Sequence, residues 1–458
     1  MVGDVFWASL AILSAGGLIL PTLDHLTGER VAPKATLGLL AVALALSALQ
    51  LVSSAAEGPV ELAGGAVVVD GISSLLCLAA TVSALLAALA AEPEASGWGT
   101  ASSLYPLMAL TLVGVYCAVS VADSALLVAS WALVAVASYV IVGLRKDDAS
   151  LEGAVKYALM GAAASTLLVL GLAALPGARL GAVDGPLVPV ALLLLTAAVG
   201  FKLGVVPFHG WLPDVYGGVH PALVAYVAGV VKVMAVGLLL RAVAPLSVLP
   251  EWGPLMATLA VLTMTFGNLA ALVQESVQRM MAYSSIAHAG YIMAGAFALA
   301  DPATAGLARA GLALHALTYA LAKVGVFGSL SYMRRLGVGP TLSEIEGVGR
   351  RMPLTSASLT VLVMSLIGMP PLLGFWSKFA YIVMAVAGTA PWLALAVILN
   401  SGISVGYYAQ FLRYLYMRPP RVEGPRESGE PEVAVALISA VLTAILGLGV
   451  GLLSPLLG

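Results

Sequence analysis

Charge is scarce in this chain. Of 458 residues only 10% are Asp, Glu, Lys or Arg, against roughly 25% in an ordinary soluble domain, which excludes a globular protein with a fully hydrated surface. Cysteine is scarcer still. Cys77 and Cys117 each stand alone on an apolar segment, so no CxxC or Cys/His cluster can hold an iron–sulfur centre or zinc, and both read as small hydrophobes in packed helices. No glycine-rich nucleotide loop follows a strand pattern, so no cofactor is expected in this chain. A net charge of −2 argues against nucleic-acid binding. The first residues lack a basic stretch and carry an acid at Asp4, which reads as a first membrane span rather than a cleaved signal peptide.

Apolar residues make up 61% of the sequence. Runs long enough for a bilayer, about 18 to 25 residues, fall at 5–23, 34–54, 70–91, 103–122, 124–143, 153–175, 187–207, 219–242, 254–273, 278–300, 305–332, 354–382, 391–416 and 433–456. The expected fold is therefore an all-α polytopic membrane protein of about fourteen spans. Basic residues support that count. With the N-terminus outside, the inner loops and helix ends hold Arg30, Lys34, Arg145, Lys146, Lys156, Arg279, Arg334, Arg335, Arg350, Arg351, Arg413, Arg418, Arg421 and Arg426, while the opposite side holds Arg179, Arg241 and Arg309. That asymmetry is the positive-inside pattern, and it predicts both termini on the outer side of a plasma membrane.

Four basic residues remain, Lys202, Lys232, Lys323 and Lys378, and all lie within spans. The acids fall in loops or near helix ends, so the interior has lysines and no carboxylate. An ammonium at membrane depth costs a few kcal/mol or more, which makes each a functional candidate. The structural alternative is snorkelling to an interface. It suits Lys202 poorly, because that residue precedes a helix break, and Lys232 poorly, because it lies mid-span. Lys323 can equally pair with a neighbouring helix. His288 and His315 also lie within spans and are candidates for proton relay, although a packed, hydrogen-bonded histidine explains them nearly as well. His209 and His220 flank a break and are expected at its aqueous mouth. Asp214 is expected to cap a helix or pair with a basic residue. Trp7, Trp98, Trp252 and Trp392 read as interfacial anchors.

The spans repeat loosely. Five from 103 to 242 include, as the fourth, one interrupted by VVPFHGWLP; five from 254 to 416 include, as the fourth, one interrupted by GMPPLLGFWSK. Pro207, Pro370 and Pro371 remove helix hydrogen bonds there, which is tolerated at depth only where protein or water covers the backbone. Units of five spans have opposite orientations, the inverted-repeat plan of transporters. The expected organisation is three N-terminal helices over 1–102, half-channels over 103–242 and 254–416, and a last helix over 433–458.

The stretches SLEGAVKYALMGAAASTLL (150–168), GFKLGVVPFHGWLPDVY (200–216), QRMMAYSSIAHAGYIM (278–293) and MSLIGMPPLLGFWSKF (364–379) carry a resemblance to a known family. Over about 100–416 the chain resembles the N-type antiporter-like membrane subunits of respiratory complex I, which are related to Mrp-type cation/proton antiporter subunits. The resemblance implies fourteen helices with two inverted five-helix repeats. It places Lys202 at the broken-helix lysine that normally partners a glutamate, Lys232 at the lysine linking the half-channels, and Lys378 at the exit-side lysine. His315 and Lys323 together on one helix look more like other antiporter-like subunits. In DSALLVASWALVAVASYVIVG (123–143) the family glutamate falls on Ala132, so that gate is absent or rebuilt from another subunit.

The resemblance implies a proton-translocating subunit of a quinone oxidoreductase fed by NADH, ferredoxin or reduced deazaflavin, with redox chemistry in partner subunits and other antiporter-like and small membrane subunits alongside. A chain ending just after the last span implies an inner place in the row of pumps. Two other readings stay open: a subunit of a multi-subunit Na⁺/H⁺ antiporter, and a scaffold that has lost pumping with its glutamate.

Overall fold

The computed structural model describes residues 1–27, 31–419 and 426–453. In chain order its main helices are α1 (Val2–Thr27), α2 (Ala32–Glu57), α3 (Gly71–Ala95), α4 (Ala101–Val119), α5 (Ser124–Gly143), α6 (Asp148–Ala173), α7 (Val188–Leu203), α8 (Trp211–Gly218), α9 (Pro221–Tyr226), α10 (Lys232–Leu238), α11 (Trp252–Leu272), α12 (Val277–Phe297), α13 (Pro302–Arg335), α14 (Pro353–Ile367), α15 (Leu373–Phe375), α16 (Met384–Thr389), α17 (Pro391–Met417) and α18 (Pro431–Leu448). A π-helical turn at Val227–Val231 joins α9 to α10, and another at Trp376–Val383 joins α15 to α16. Eleven of these rods are long and apolar enough to cross a membrane. Adding α12 and the two interrupted rods, α7 with α8 and α14 with α15–α16, gives the fourteen crossings expected among the described residues. The main difference is the second interrupted crossing, which extends to Thr389 rather than ending near 382. A short hairpin, β1 (Val60–Leu62) and β2 (Val67–Val69), joins α2 to α3.

Why the acids cluster near helix ends is now visible. Asp70, Asp123, Asp147 and Asp301 each accept a backbone N–H from the first turn of the helix they precede, α3, α5, α6 and α13 respectively. Those first-turn donors have no partner inside the helix, so a carboxylate there both satisfies a hydrogen bond and opposes the positive helix end.

Polar loops sort to two ends. At one, Arg145 pairs with Asp147, Asp214 takes both Lys156 and Arg279, and Arg335 holds Glu430 and Glu432. At the other, Arg241 binds Asp70 and the carbonyls of Val119 and Val68, pinning the hairpin. The sorting agrees with the partition of basic residues drawn from the sequence; Arg30 and Arg421 lie outside the described residues. Asp214 is thus an ion-pair partner rather than a cap. Trp7 and Trp392 are exposed, as anchors should be, but Trp252 is fully buried with its indole N–H on the Ala296 carbonyl. It fails as an anchor because its end of α11 is covered by the last turn of α12, at Ala296 and Phe297.

The innermost rods are α9–α10 and the 34-residue α13, buried throughout its central window. Lipid supplies no hydrophobic drive between helices, so close approach through small residues carries the packing. At the α11–α12 contact a side chain on Gly290 would meet the Met264 backbone nitrogen at 2.4 Å, and one on Gly267 the Ala287 nitrogen at 2.5 Å.

Candidate functional site

Both interruptions are built alike. Helix α7 ends at Gly204 and α14 at Gly368, each with positive φ, 77° and 98°; a left-handed residue turns the chain out of the helix, and glycine does so without a Cβ penalty. Pro207 and the Pro370–Pro371 pair follow three residues on or fewer, with cis bonds at Val206–Pro207 and Pro370–Pro371. The glycines therefore stop the helices, and the prolines keep them from resuming.

All four interior lysines are buried, with at most 3% exposure. Among the described residues none of the four forms a salt bridge, and the one fully buried carboxylate, Glu432, is paired with Arg335 near the start of α18. Lys232 follows the first π turn and donates to the Ser285 carbonyl at 3.0 Å. Lys323 donates to the Met281 carbonyl at 2.8 Å and to the Ser284 hydroxyl at 2.9 Å. Lys378 lies within the second π turn, where such turns often mark function, and donates to the carbonyls of Leu366 and Ile367 at 2.9 and 3.1 Å. Those carbonyls are freed by the break and form the negative end of α14.

Between the lysines runs a polar line. Lys232 and Lys323 share the face of Tyr319, 5.0 and 5.6 Å from its centroid, and the Tyr319 hydroxyl donates to Ser285 Oγ at 2.8 Å. His288 lies against Tyr319, with ring centroids 5.7 Å apart, and its Nδ1 is 3.0 Å from His315 Nε2. His315 Nδ1 is 3.2 Å from the hydroxyl of Ser377, the residue before Lys378. Lys378 in turn sits 4.4 Å from the Tyr291 centroid. The imidazole pair can hold its hydrogens in two opposite directions, His288 donating to His315 or the reverse. A proton can thus be handed on and the chain reset.

Lys202 stands apart, in the last turn of α7, with the Tyr157 hydroxyl 3.4 Å away. Tyr157 stacks on Trp211, and Trp211 meets Tyr216 edge-on at 6.1 Å. Ala132, on α5, is exposed on the outer surface of the chain rather than turned inward. The expected mouth histidines divide. His209 lies in the break, edge-on to Phe266, whereas His220 is buried and uses Nδ1 to accept the Ala222 N–H at the start of α9. It caps that helix because it stands directly before Pro221, the first helical residue.

The family model described as NADH:quinone oxidoreductase/Mrp antiporter, TM matches residues 122–404. The chain belongs to that family. As a member of the NADH:quinone oxidoreductase/Mrp antiporter family it is 35% identical over 398 residues to the F(420)H(2) dehydrogenase subunit N of Methanosarcina mazei, covering 81% of this chain and 80% of that one. A chain of respiratory complex I from Thermus thermophilus with bound aureothin superposes with a TM-score of 0.83 at 31% identity, covering 98% of each. A chain of the Mrp complex from Dietzia sp. DQ12-45-1b shares the fold, with a TM-score of 0.83 at 20% identity, covering 97% of this chain and 96% of that one. The chain is accordingly an antiporter-like membrane subunit of the N type, and both the membrane fold and the family expected from the motifs hold.

Several groups on the line were not singled out in the sequence: Ser284, Ser285, Tyr319, Ser377, Tyr157 and Trp131. Part of the signal was there. His315, Tyr319 and Lys323 recur every four residues and share a face of one helix, and Ser284, Ser285 and His288 fall within one turn. Nothing in the linear sequence brings Trp131 and Tyr157 to Lys202.

Proposed function

We propose that this chain is the N-type proton-translocating subunit of a quinone oxidoreductase complex, with protons relayed along Lys202, Lys232, Lys323, His288, His315 and Lys378 and redox chemistry carried by partner subunits. The observation that carries the reading is the polar line from Lys232 through Tyr319, with Ser285 beside it, to His288, His315 and Ser377, which precedes Lys378. Lys232 lies over Tyr319, which donates to Ser285 and packs against His288; His288 meets His315, and His315 meets Ser377, the residue before Lys378. A charge arriving at one lysine shifts the proton affinity of the groups beside it, which is how a redox event in a partner would drive the relay.

The half-channels are taken as 103–242 and 254–416, with Pro207, Pro370 and Pro371 at the breaks. Electrons enter through partner subunits that oxidise NADH, ferredoxin or a reduced deazaflavin. The chain sits in a plasma membrane with both termini outside, as its basic loops favour. Purifying the chain with its native partners tests this. Copurifying iron–sulfur subunits and redox-coupled proton uptake are expected. Small Mrp-type membrane subunits in their place would make it part of a cation/proton antiporter, and an intact assembly with no ion flux would make it a scaffold.

A further inference from the structure

Lys202 differs from the other three interior lysines in what surrounds its charge. Lys232, Lys323 and Lys378 each donate to at least one backbone carbonyl. Lys202, among the described residues, has only the Tyr157 hydroxyl at 3.4 Å. What it has instead is rings. Its Nζ lies 4.9 Å from the Tyr139 centroid, 5.0 Å from Tyr157, 5.4 Å from Trp131 and 5.8 Å from Phe201. All four are inside the ~6 Å at which an aromatic face attracts a cation, and the attraction grows when water is excluded.

The enclosure is held in shape by its own contacts. The Trp131 indole N–H donates to Ser165 Oγ at 2.8 Å, and that hydroxyl donates to the Gly161 carbonyl at 2.8 Å. Tyr157 stacks on Trp211 at 4.2 Å and takes the edge of Tyr139 at 4.6 Å. Trp211 is fixed by its N–H on the Phe201 carbonyl at 2.9 Å. A Cβ on Gly161 would fall 1.8 Å from the Tyr139 hydroxyl, so Tyr139 reaches its place only because position 161 has no side chain. Three helices, α5, α6 and α7, contribute.

We propose that the cage of Trp131, Tyr139, Tyr157 and Phe201 is the counter-charge of Lys202, supplied from the inward face of α5 while position 132 faces outward. The proposal rests on the reading of Lys202 as a relay group. Among the described residues, the nearby charges are engaged elsewhere. On α6, Lys156 and Glu152 are engaged with each other, and Asp214 of α8 takes Lys156 and Arg279. On the rod of α10, Lys232 is turned to Ser285, and Arg241 at its far end is held by Asp70. In the break, His209 packs on Phe266. Among the described residues, the titratable groups found against Lys202 are the Tyr139 and Tyr157 phenols. The consequence is functional. A carboxylate beside a lysine can accept its proton, whereas ring faces only attract the ammonium and the Tyr157 phenol oxygen is far too weak a base to keep it, so a proton leaving Lys202 moves onward rather than collapsing onto its partner.

The test uses the complete complex in proteoliposomes, with Trp131 replaced site-specifically by mono-, di- and tetrafluorotryptophan. Fluorine drains the ring face of negative potential with little change of shape. The pH at which the proton-to-electron ratio falls to half should drop stepwise, by about one unit across the series, while the assembly and redox rate stay constant. A profile that does not move across the series overturns the cage. Lys202→Ala separates the two claims. An undiminished ratio in that variant refutes Lys202 as a relay group; a lost ratio together with an immobile fluorination series refutes the cage alone.

Discussion

Across the second helix break the Lys378 ammonium lies 2.9 Å from the Leu366 carbonyl oxygen. At the first break the corresponding carbonyl end, at Phe201, is taken by the Trp211 indole instead. The two halves share a backbone plan but differ in what satisfies it. In one half the lysine caps the broken helix; in the other a tryptophan does so, and the lysine is left among rings.

Lys378 therefore has two jobs that substitutions can separate. Lys378→Ala should lower proton translocation at least about tenfold, a change equivalent to about 1.4 kcal/mol in barrier, and Lys232→Ala should do the same. Lys378→Arg keeps a cation at the carbonyl end but cannot deprotonate, so assembly should survive while translocation is lost. Proton-to-electron ratios in proteoliposomes are the readout, and undiminished ratios in both alanine variants would sink the relay.

The imidazole pair should be as sensitive. His315→Gln keeps a polar side chain beside His288 and Ser377 yet cannot change protonation state. The complex should assemble normally, oxidise its donor and translocate few or no protons. Normal coupling in this variant would remove both histidines from the path.

Packing at the second break can be tested without chemistry. A Cβ on Gly374 would lie 1.8 Å from the Ser365 carbonyl oxygen. Gly374→Ala should destabilise the complex by about 1–3 kcal/mol, the usual penalty of overpacking, seen as a lower midpoint in detergent thermal unfolding. Gly402→Ala, with nothing within 4 Å of the added carbon, is the control and should be near neutral.

The α5–α6 loop should be pH-sensitive only in acid. Partial burial pushes the Asp147 carboxyl up, but its hydrogen bond from Ser150 and the charges of Arg145 and Arg334 outweigh that and leave it below the ordinary carboxylate value. Its contribution is therefore fully present above the unfolded-state value of about 4 and is lost as pH falls through the lower folded value. Asp147→Ala should cost about 1 kcal/mol at neutral pH, as loss of a helix cap does, and nothing once the carboxyl is protonated. Limited proteolysis of the loop across pH would show the two chains converging in acid.

Restoring the family acid is the last test. Ala132→Glu places a carboxylate on the outer face of α5, and it should change the pH dependence of coupling. An unchanged profile would mean that the route bypasses that helix.

Much of this molecule was legible in the linear sequence for a simple reason: lipid enforces it. A span must be long, apolar and internally hydrogen-bonded, so fourteen crossings, two breaks at equivalent places and four conspicuous lysines could be read from composition and spacing alone. That the acids fall in loops or near helix ends could be read the same way. What the sequence did not determine was which groups meet. Tyr319 under two lysines, His288 on His315, and Trp131, Tyr139 and Tyr157 around Lys202 come from helices far apart in the chain, and ring–cation and hydrogen-bond contacts leave no periodic trace. The missing glutamate at 132 was visible as a loss. Only the packing of α5, α6 and α7 brought an aromatic enclosure around Lys202, because that depends on the directions in which side chains leave three separate helices.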